Sequence, residues 1–124
     1  MTAKPKTHIA AHMLTGLVTL AFVASAGFKV SGAKAVIENF EKLHLLEFRV
    51  PIGILELVCA LLFAIPKTSS LGTLLLTGYL GGAVVAHLTS NDAGGMVPAL
   101  ILGLVMWAAN YLRNRQMFES ITRT

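Results

Sequence analysis

Charge is scarce in this chain. Asp, Glu, Lys and Arg make up 13% of its 124 residues, against roughly 25% in soluble domains. With 55% hydrophobic residues and a mean hydropathy of +0.71, too little polar surface remains to keep so small a protein dissolved. Most of the exterior must be apolar, which excludes an ordinary soluble domain and fits an integral membrane protein. Cysteine is nearly absent too. The single Cys59 rules out an internal disulfide and a redox thiol pair, and inside an apolar run it reads as a small packing residue. There is no Gly-rich phosphate loop, no CxxC, no HExxH and no nucleophile elbow. The net charge of +4 comes from Lys and Arg placed between apolar blocks. Nucleic-acid binders gather theirs on one face, so no nucleic-acid partner is expected and the cations read as determinants of topology.

What the chain does have is four apolar runs: "IAAHMLTGLVTLAFVASAGF" (9–28), "VPIGILELVCALLFAIP" (50–66), "LGTLLLTGYLGGAVVAHL" (71–88) and "MVPALILGLVMWAANYL" (96–112). A helix needs about 17–25 residues to cross a ~30 Å hydrocarbon core. The first and third runs meet this; the second and fourth lie near the short limit. Lys4, Lys6 and the small residues "ASA" (24–26) would also suit a secretory signal peptide, but the run is long for its apolar region, and a retained helix is expected. Between the first two runs, Val36, Ile37, Phe40, Leu43 and Phe48 share one helical face and Lys34, Glu38, Glu41 and Lys42 the other. Leu45 and Leu46 interrupt that pattern. It predicts an amphipathic helix over 33–48, lying on the membrane surface or capping the bundle. The expected fold is all-α: one domain over 1–124, an integral membrane four-helix bundle with this short helix between helices 1 and 2.

Lys4, Lys6, Lys67, Arg113, Arg115 and Arg123 fall on the side of the termini, and Lys29, Lys34, Lys42 and Arg49 on the other. The bias predicts both termini in the cytoplasm and the chain in the inner (plasma) membrane.

Glu56 stands inside the second run, near its start, and His87 near the end of the third. In an antiparallel bundle these positions are at similar depth. An intramembrane ionisable residue costs roughly 2.5–3.5 kcal/mol on insertion scales and marks a functional candidate. A Glu56–His87 pair would offset the cost of both. The alternative for His87 is an interfacial histidine bonded to a backbone carbonyl. Tyr79, two turns before His87, either adds a hydroxyl deeper in the same cavity or packs as an aromatic. Lys29 either snorkels to the headgroups or turns inward to Glu56. Gly78, Gly82 and Ala86 recur every fourth residue, a spacing that predicts close helix packing rather than ligand approach. Thr15 and Thr19 lie with His12 and Gly16 on one face of the first run, and Gly103, Trp107 and Asn110 share a face of the fourth, with Trp107 expected as an interfacial anchor. His8 and His12 are spaced i, i+4 but have no third ligand nearby, so no metal is expected.

The strings "AGFKVSG" (26–32), "PIGILELVCALLFAIP" (51–66) and above all "LTGYLGGAVVAHL" (76–88) resemble the DoxX-like family of small four-helix membrane proteins, in the expected order over about 10–112. The resemblance implies a shared pocket lined by Lys29, Glu56, Tyr79 and His87. It also implies a link to membrane redox chemistry, since the family's namesakes are associated with thiosulfate:quinone oxidoreductase. The expected function is binding of a small lipophilic molecule, with a quinone as candidate ligand and no other cofactor, accessory to a membrane redox process. The expected partners are the lipid bilayer, that ligand, and a second copy or a membrane redox protein. Two rivals stay open: a small membrane enzyme using Glu56 as base, and a structural or assembly subunit.

Overall fold

The computed structural model describes residues 5–114, 116, 119 and 120, with side chains from Ile9 onward. All regular structure among them is helical: α1 (Pro5–Ser31), α2 (Lys34–Lys42), α3 (Arg49–Ala64), α4 (Ser69–Thr89) and α5 (Met96–Arg113). Single 3-10 turns at Leu46–Phe48, Pro66–Thr68 and Ala93–Gly95 lead into α3, α4 and α5. Lys4, Arg115 and Arg123, counted above for orientation, lie outside the described residues, as do the side chains of Lys6 and His8.

Local chemistry sets the breaks. α1 stops at Gly32, whose φ of +78° is left-handed and suits a residue without Cβ. There the N–H groups of Gly32 and Ala33 both donate to the Phe28 carbonyl, at 3.2 and 3.1 Å. The amphipathic helix expected over 33–48 is divided. It ends at Lys42, His44 is left-handed at φ +59°, and a 3-10 turn follows. Leu45 and Leu46 are the physical reason, since a continuous helix would carry them onto the charged face. Phe40 on the apolar face of α2 is buried, while Lys34, Glu38, Glu41 and Lys42 are exposed. α3 begins at Arg49, before Pro51, which therefore sits in the first turn where a missing N–H does no harm. Glu56 is thus about two turns into the helix, deeper than a start at Pro51 would place it.

α1 packs against α3 and α5, and α4 packs against the same two, so the long helices contact one another in a closed cycle. Ala11, Thr15, Val18, Phe22 and Ala26 form the buried stripe of α1, at the three-and-four spacing of one helical face. Phe63, Leu76 and Met106 meet it in the core. The outward faces are as apolar as the core: Leu104 is 74% exposed, and Leu20, Leu61 and Leu74 are exposed with it. Such a surface is solvated by lipid chains, not by water. The segments Ile9–Ser31, Pro66–Thr89 and Ala93–Arg113 are long and apolar enough to cross a membrane. α3, with 16 residues, is about 24 Å long and falls short of the hydrocarbon thickness by itself.

Hydroxyls on α4 are satisfied within the helix: Thr73 donates to the Ser69 carbonyl and Thr77 to the Thr73 carbonyl, both at 2.7 Å. Trp107 Nε1 of α5 donates to Thr77 Oγ1 at 2.9 Å, so the residue expected as an interfacial anchor serves as a clamp between α4 and α5, near the middle of α4. Two arginines close helix ends. Arg49 donates to the Lys29 and Val30 carbonyls at the end of α1. Arg113 donates to the Phe63 and Ala64 carbonyls at the end of α3 and lies 4.8 Å over the Phe63 ring. Each supplies donors and positive charge where a helix leaves carbonyls unpaired.

Close helix approach occurs at Gly72, where a Cβ would collide with the Phe63 backbone of α3. It does not occur at the Gly78/Gly82/Ala86 stripe expected to provide it: a Cβ at Gly78 or Gly82 would meet nothing within 4 Å. Spacing alone identified the stripe, but of these α4 glycines only Gly72 lies where the α3 backbone comes against it. Gly72→Ala is therefore expected to destabilise the protein by about 1–3 kcal/mol or more through overpacking. Gly81→Ala, into open space, is expected to be neutral or stabilising; equilibrium unfolding in mixed micelles measures both.

Candidate functional site

The site begins with a small residue. A Cβ at Gly53 would lie 3.0 Å from Lys29 Cβ and 3.2 Å from the Ala26 carbonyl oxygen, so its absence lets α3 settle onto α1. One turn further along α3, Glu56 is then carried against the end of α1. There Lys29 Nζ donates to Glu56 Oε1 at 2.7 Å and to Ser25 Oγ at 2.6 Å, and Ser25 Oγ donates to the same carboxylate oxygen at 3.2 Å. Glu56 is buried, and its side chain and that of Lys29 are 3% and 14% exposed. Few counter-charges or waters compete for such a pair, so the attraction is far stronger than on a surface. Tyr79 reaches in from α4: its ring lies 5.6 Å from Lys29 Nζ, within cation–π range, and its hydroxyl is directed at the Glu56 carboxylate.

His87 is elsewhere on the same wall. Its Nδ1 lies 2.7 Å from the Ala83 carbonyl oxygen. A carbonyl can only accept, so Nδ1 carries a proton, and Nε2 is the nitrogen left to face the cavity side. The imidazole rests against Gly95, where a Cβ would strike it. Asp92 holds that turn, accepting from Gly95 N–H at 3.3 Å through Oδ1 while its own N–H donates to the His87 carbonyl at 2.8 Å.

Glu56 and His87 do not pair with each other. The acid takes Lys29 and Ser25, and the imidazole takes a backbone carbonyl, the alternative weighed for it above. A full ammonium charge bonded directly to Glu56 and to Ser25 is a better partner for a buried carboxylate than an imidazole already held by a backbone carbonyl. Lys29 accordingly turns inward instead of snorkelling. What Lys29, Glu56, Tyr79 and His87 share is a cavity of about 520 Å³, to which all four contribute. Its remaining lining is almost wholly apolar, and Phe40 and Asn39 of α2 close one side. The volume falls in the range of small-molecule sites, about 300–1,000 Å³. Ser25 and Gly53 escaped the sequence reading. Ser25 sits one turn before Lys29, a spacing that could have signalled it; Gly53 becomes legible only with α1 in place. Among the described residues no three His, Cys, Asp or Glu side chains come together. His12 is exposed, and its proposed companion His8 lies outside the described side chains.

Apolar outward faces, membrane-length helices and a charged pair sealed inside define a small helical membrane protein. The chain belongs to the DoxX-like family, whose sequence model matches residues 13–109. No curated protein and no solved structure matches it significantly.

Lys29→Met strands a buried carboxylate and is expected to cost about 3–5 kcal/mol. Adding Glu56→Gln is expected to recover most of that loss. A double-mutant cycle on unfolding free energies reads the coupling, and strict additivity would mean that the pair contributes nothing.

Proposed function

We propose that the four long helices form a four-span bundle in the inner (plasma) membrane, with both termini in the cytoplasm. The cavity binds a small lipophilic molecule with a polar head, a quinone being the class that fits, and the protein serves a membrane redox process. The observation that carries this reading is a buried Lys29–Glu56 pair in the wall of an otherwise apolar cavity. Ionisable groups inside a membrane protein are costly, and they cluster where ligands or protons are handled.

The chemistry of the walls supports the ligand class. Quinone carbonyls accept hydrogen bonds, and the Lys29 ammonium and Tyr79 hydroxyl donate them. A quinol hydroxyl donates, and Nε2 of a neutral His87 imidazole is an acceptor for it. Donors on one wall and an acceptor on another suit either oxidation state of such a ring. The hydrogen bonds that Glu56 accepts from Lys29 and Ser25 support its use as an anchored anion that fixes the ammonium. They weigh against a free general base and hence against an autonomous enzyme built on Glu56. Orientation rests on the Lys and Arg distribution, and α3 reaches across with help from the 3-10 turn that precedes it and from local thinning of the bilayer.

The test is a titration of short-chain ubiquinone and menaquinone analogues into detergent-purified protein. Saturable binding is expected, weakened at least tenfold by Glu56→Gln and by His87→Ala. No saturable binding, or binding untouched by both substitutions, overturns the reading.

A further inference from the structure

The cavity is not closed on all sides, and the residues at its opening say what kind of molecule it takes. α3 and α4 are in backbone contact at Gly72 and Phe63. Further along α4, toward the end that carries His87, a cavity lined by both helices takes the place of such contact. Leu55 on α3 and Gly78 and Gly82 on α4 both line the cavity and are exposed. Leu55 and Gly82 belong to the gap between these helices rather than to the α4–α5 seam, and Gly78 stands one turn along α4 on its outer edge. Thr77 marks that seam through Trp107, and Gly82 lies about 140° around the helix from it but only about 80° from Gly72. A Cβ at Gly78 or Gly82 would meet nothing within 4 Å, so the α4 lip of the gap is bare backbone. Outside it the neighbouring surface is apolar, with Leu74, Leu75 and Val85 exposed on α4 and Ile54 and Val58 on α3. The far end of the cavity is covered by α2, whose Phe40 is buried.

We infer that the ligand is an amphiphile with an extended hydrocarbon chain, its polar head inside by Lys29 and Glu56 and its chain leaving through the α3–α4 gap into the bilayer. This rests on the proposed binding role of the cavity and adds the substrate class: a membrane-resident, long-chain molecule in place of a compact water-borne one. The sequence of surfaces matches such a molecule from end to end. A charged and hydroxylated patch meets the head, an apolar chamber follows, and a side-chain-free slot opens directly onto lipid. The roof formed by α2 leaves the lateral slot as the route that a flexible chain can occupy without crossing a charged surface.

The experiment compares two quinone analogues with the same ring, one with a methyl or very short tail and one with a tail of several isoprenoid units. Both are measured on the wild-type protein and on the Gly78→Leu/Gly82→Leu variant in the same nanodiscs. Expressing each affinity as a variant-to-wild-type ratio cancels the partitioning of each analogue into lipid. The expected result is a loss of tenfold or more for the long-tailed analogue, with the short-tailed one changed less than threefold. Gly81→Leu, which also points into open space but does not line the cavity, is expected to bind both as the wild type does. Equal ratios for the two analogues, whether both reduced or both unchanged, overturn the long-chain inference while leaving the cavity as a binding site. Failure of the wild type to bind either analogue sinks the binding role itself. Unfolding midpoints within the range of the Gly81→Leu control verify that the double variant is folded.

Discussion

A positive and a negative charge held together out of water fix much else in this molecule. Lys29 comes from the last turns of α1 and Glu56 from the second turn of α3, so their bond sets both the axial register and the rotation of one helix against the other. Hydrocarbon contacts between membrane helices are weakly selective, because a leucine is as content against lipid as against another leucine. An ion pair is selective: sliding either helix by one residue would leave two buried charges apart. Gly53 belongs to the same device, since any larger residue there would hold Lys29 away. Arg49 reinforces it by grasping the carbonyls that end α1, beside the lysine whose amine is engaged on the next helix.

Beside the buried Thr15 and Thr19 hydroxyls, which bond to nothing among the described residues, the polar groups described above are of two kinds. Thr73, Thr77 and His87 are satisfied by the carbonyl four residues earlier on their own helix, which asks nothing of tertiary structure. Lys29, Ser25, Glu56, Trp107 and Arg113 reach across to another helix. These cross-helix bonds are spread over the two ends and the middle of the assembly: the α1–α3 pair at one end, the α4–α5 clamp midway, and Arg113 on α3 at the other, joined by Asn114 Nδ2 donating to Ser70 Oγ at 2.6 Å. The cavity lies toward the α1–α3 end, where Tyr79 reaches from α4 toward Glu56 of α3.

The apolar runs were legible because a helix of membrane length is written in composition alone, and α1, α4 and α5 need no neighbour to be recognised. The candidate residues Lys29, Glu56, Tyr79 and His87 were legible because charge and ring polarity are conspicuous in so apolar a setting. Their partnerships were harder to read. Depth along the helices suggested His87 for Glu56, but rotation about the helix axis decides which side chains meet, and that depends on where α3 begins. Its start at Arg49 and the fit of Gly53 on Ala26 are tertiary facts. The glycines of α4 show the same gap from the other direction. Small residues permit contact, and equally permit a void; Gly72 is in contact and Gly82 is not, though a reader of the string has no means of telling them apart.

The apposition of Gly72 and Phe63 has a mechanical side. Backbone against backbone cannot compress, so that point serves as a fulcrum for α3 and α4. On the proposed four-span placement, any spreading of the two helices to admit a guest would be largest at the opposite end, and the protein's cross-section would grow in one half of the bilayer more than in the other. On the proposed binding role, occupancy of the cavity would be coupled to the lateral pressure of a single leaflet, and a membrane whose two halves differ in packing would tune it from one side only.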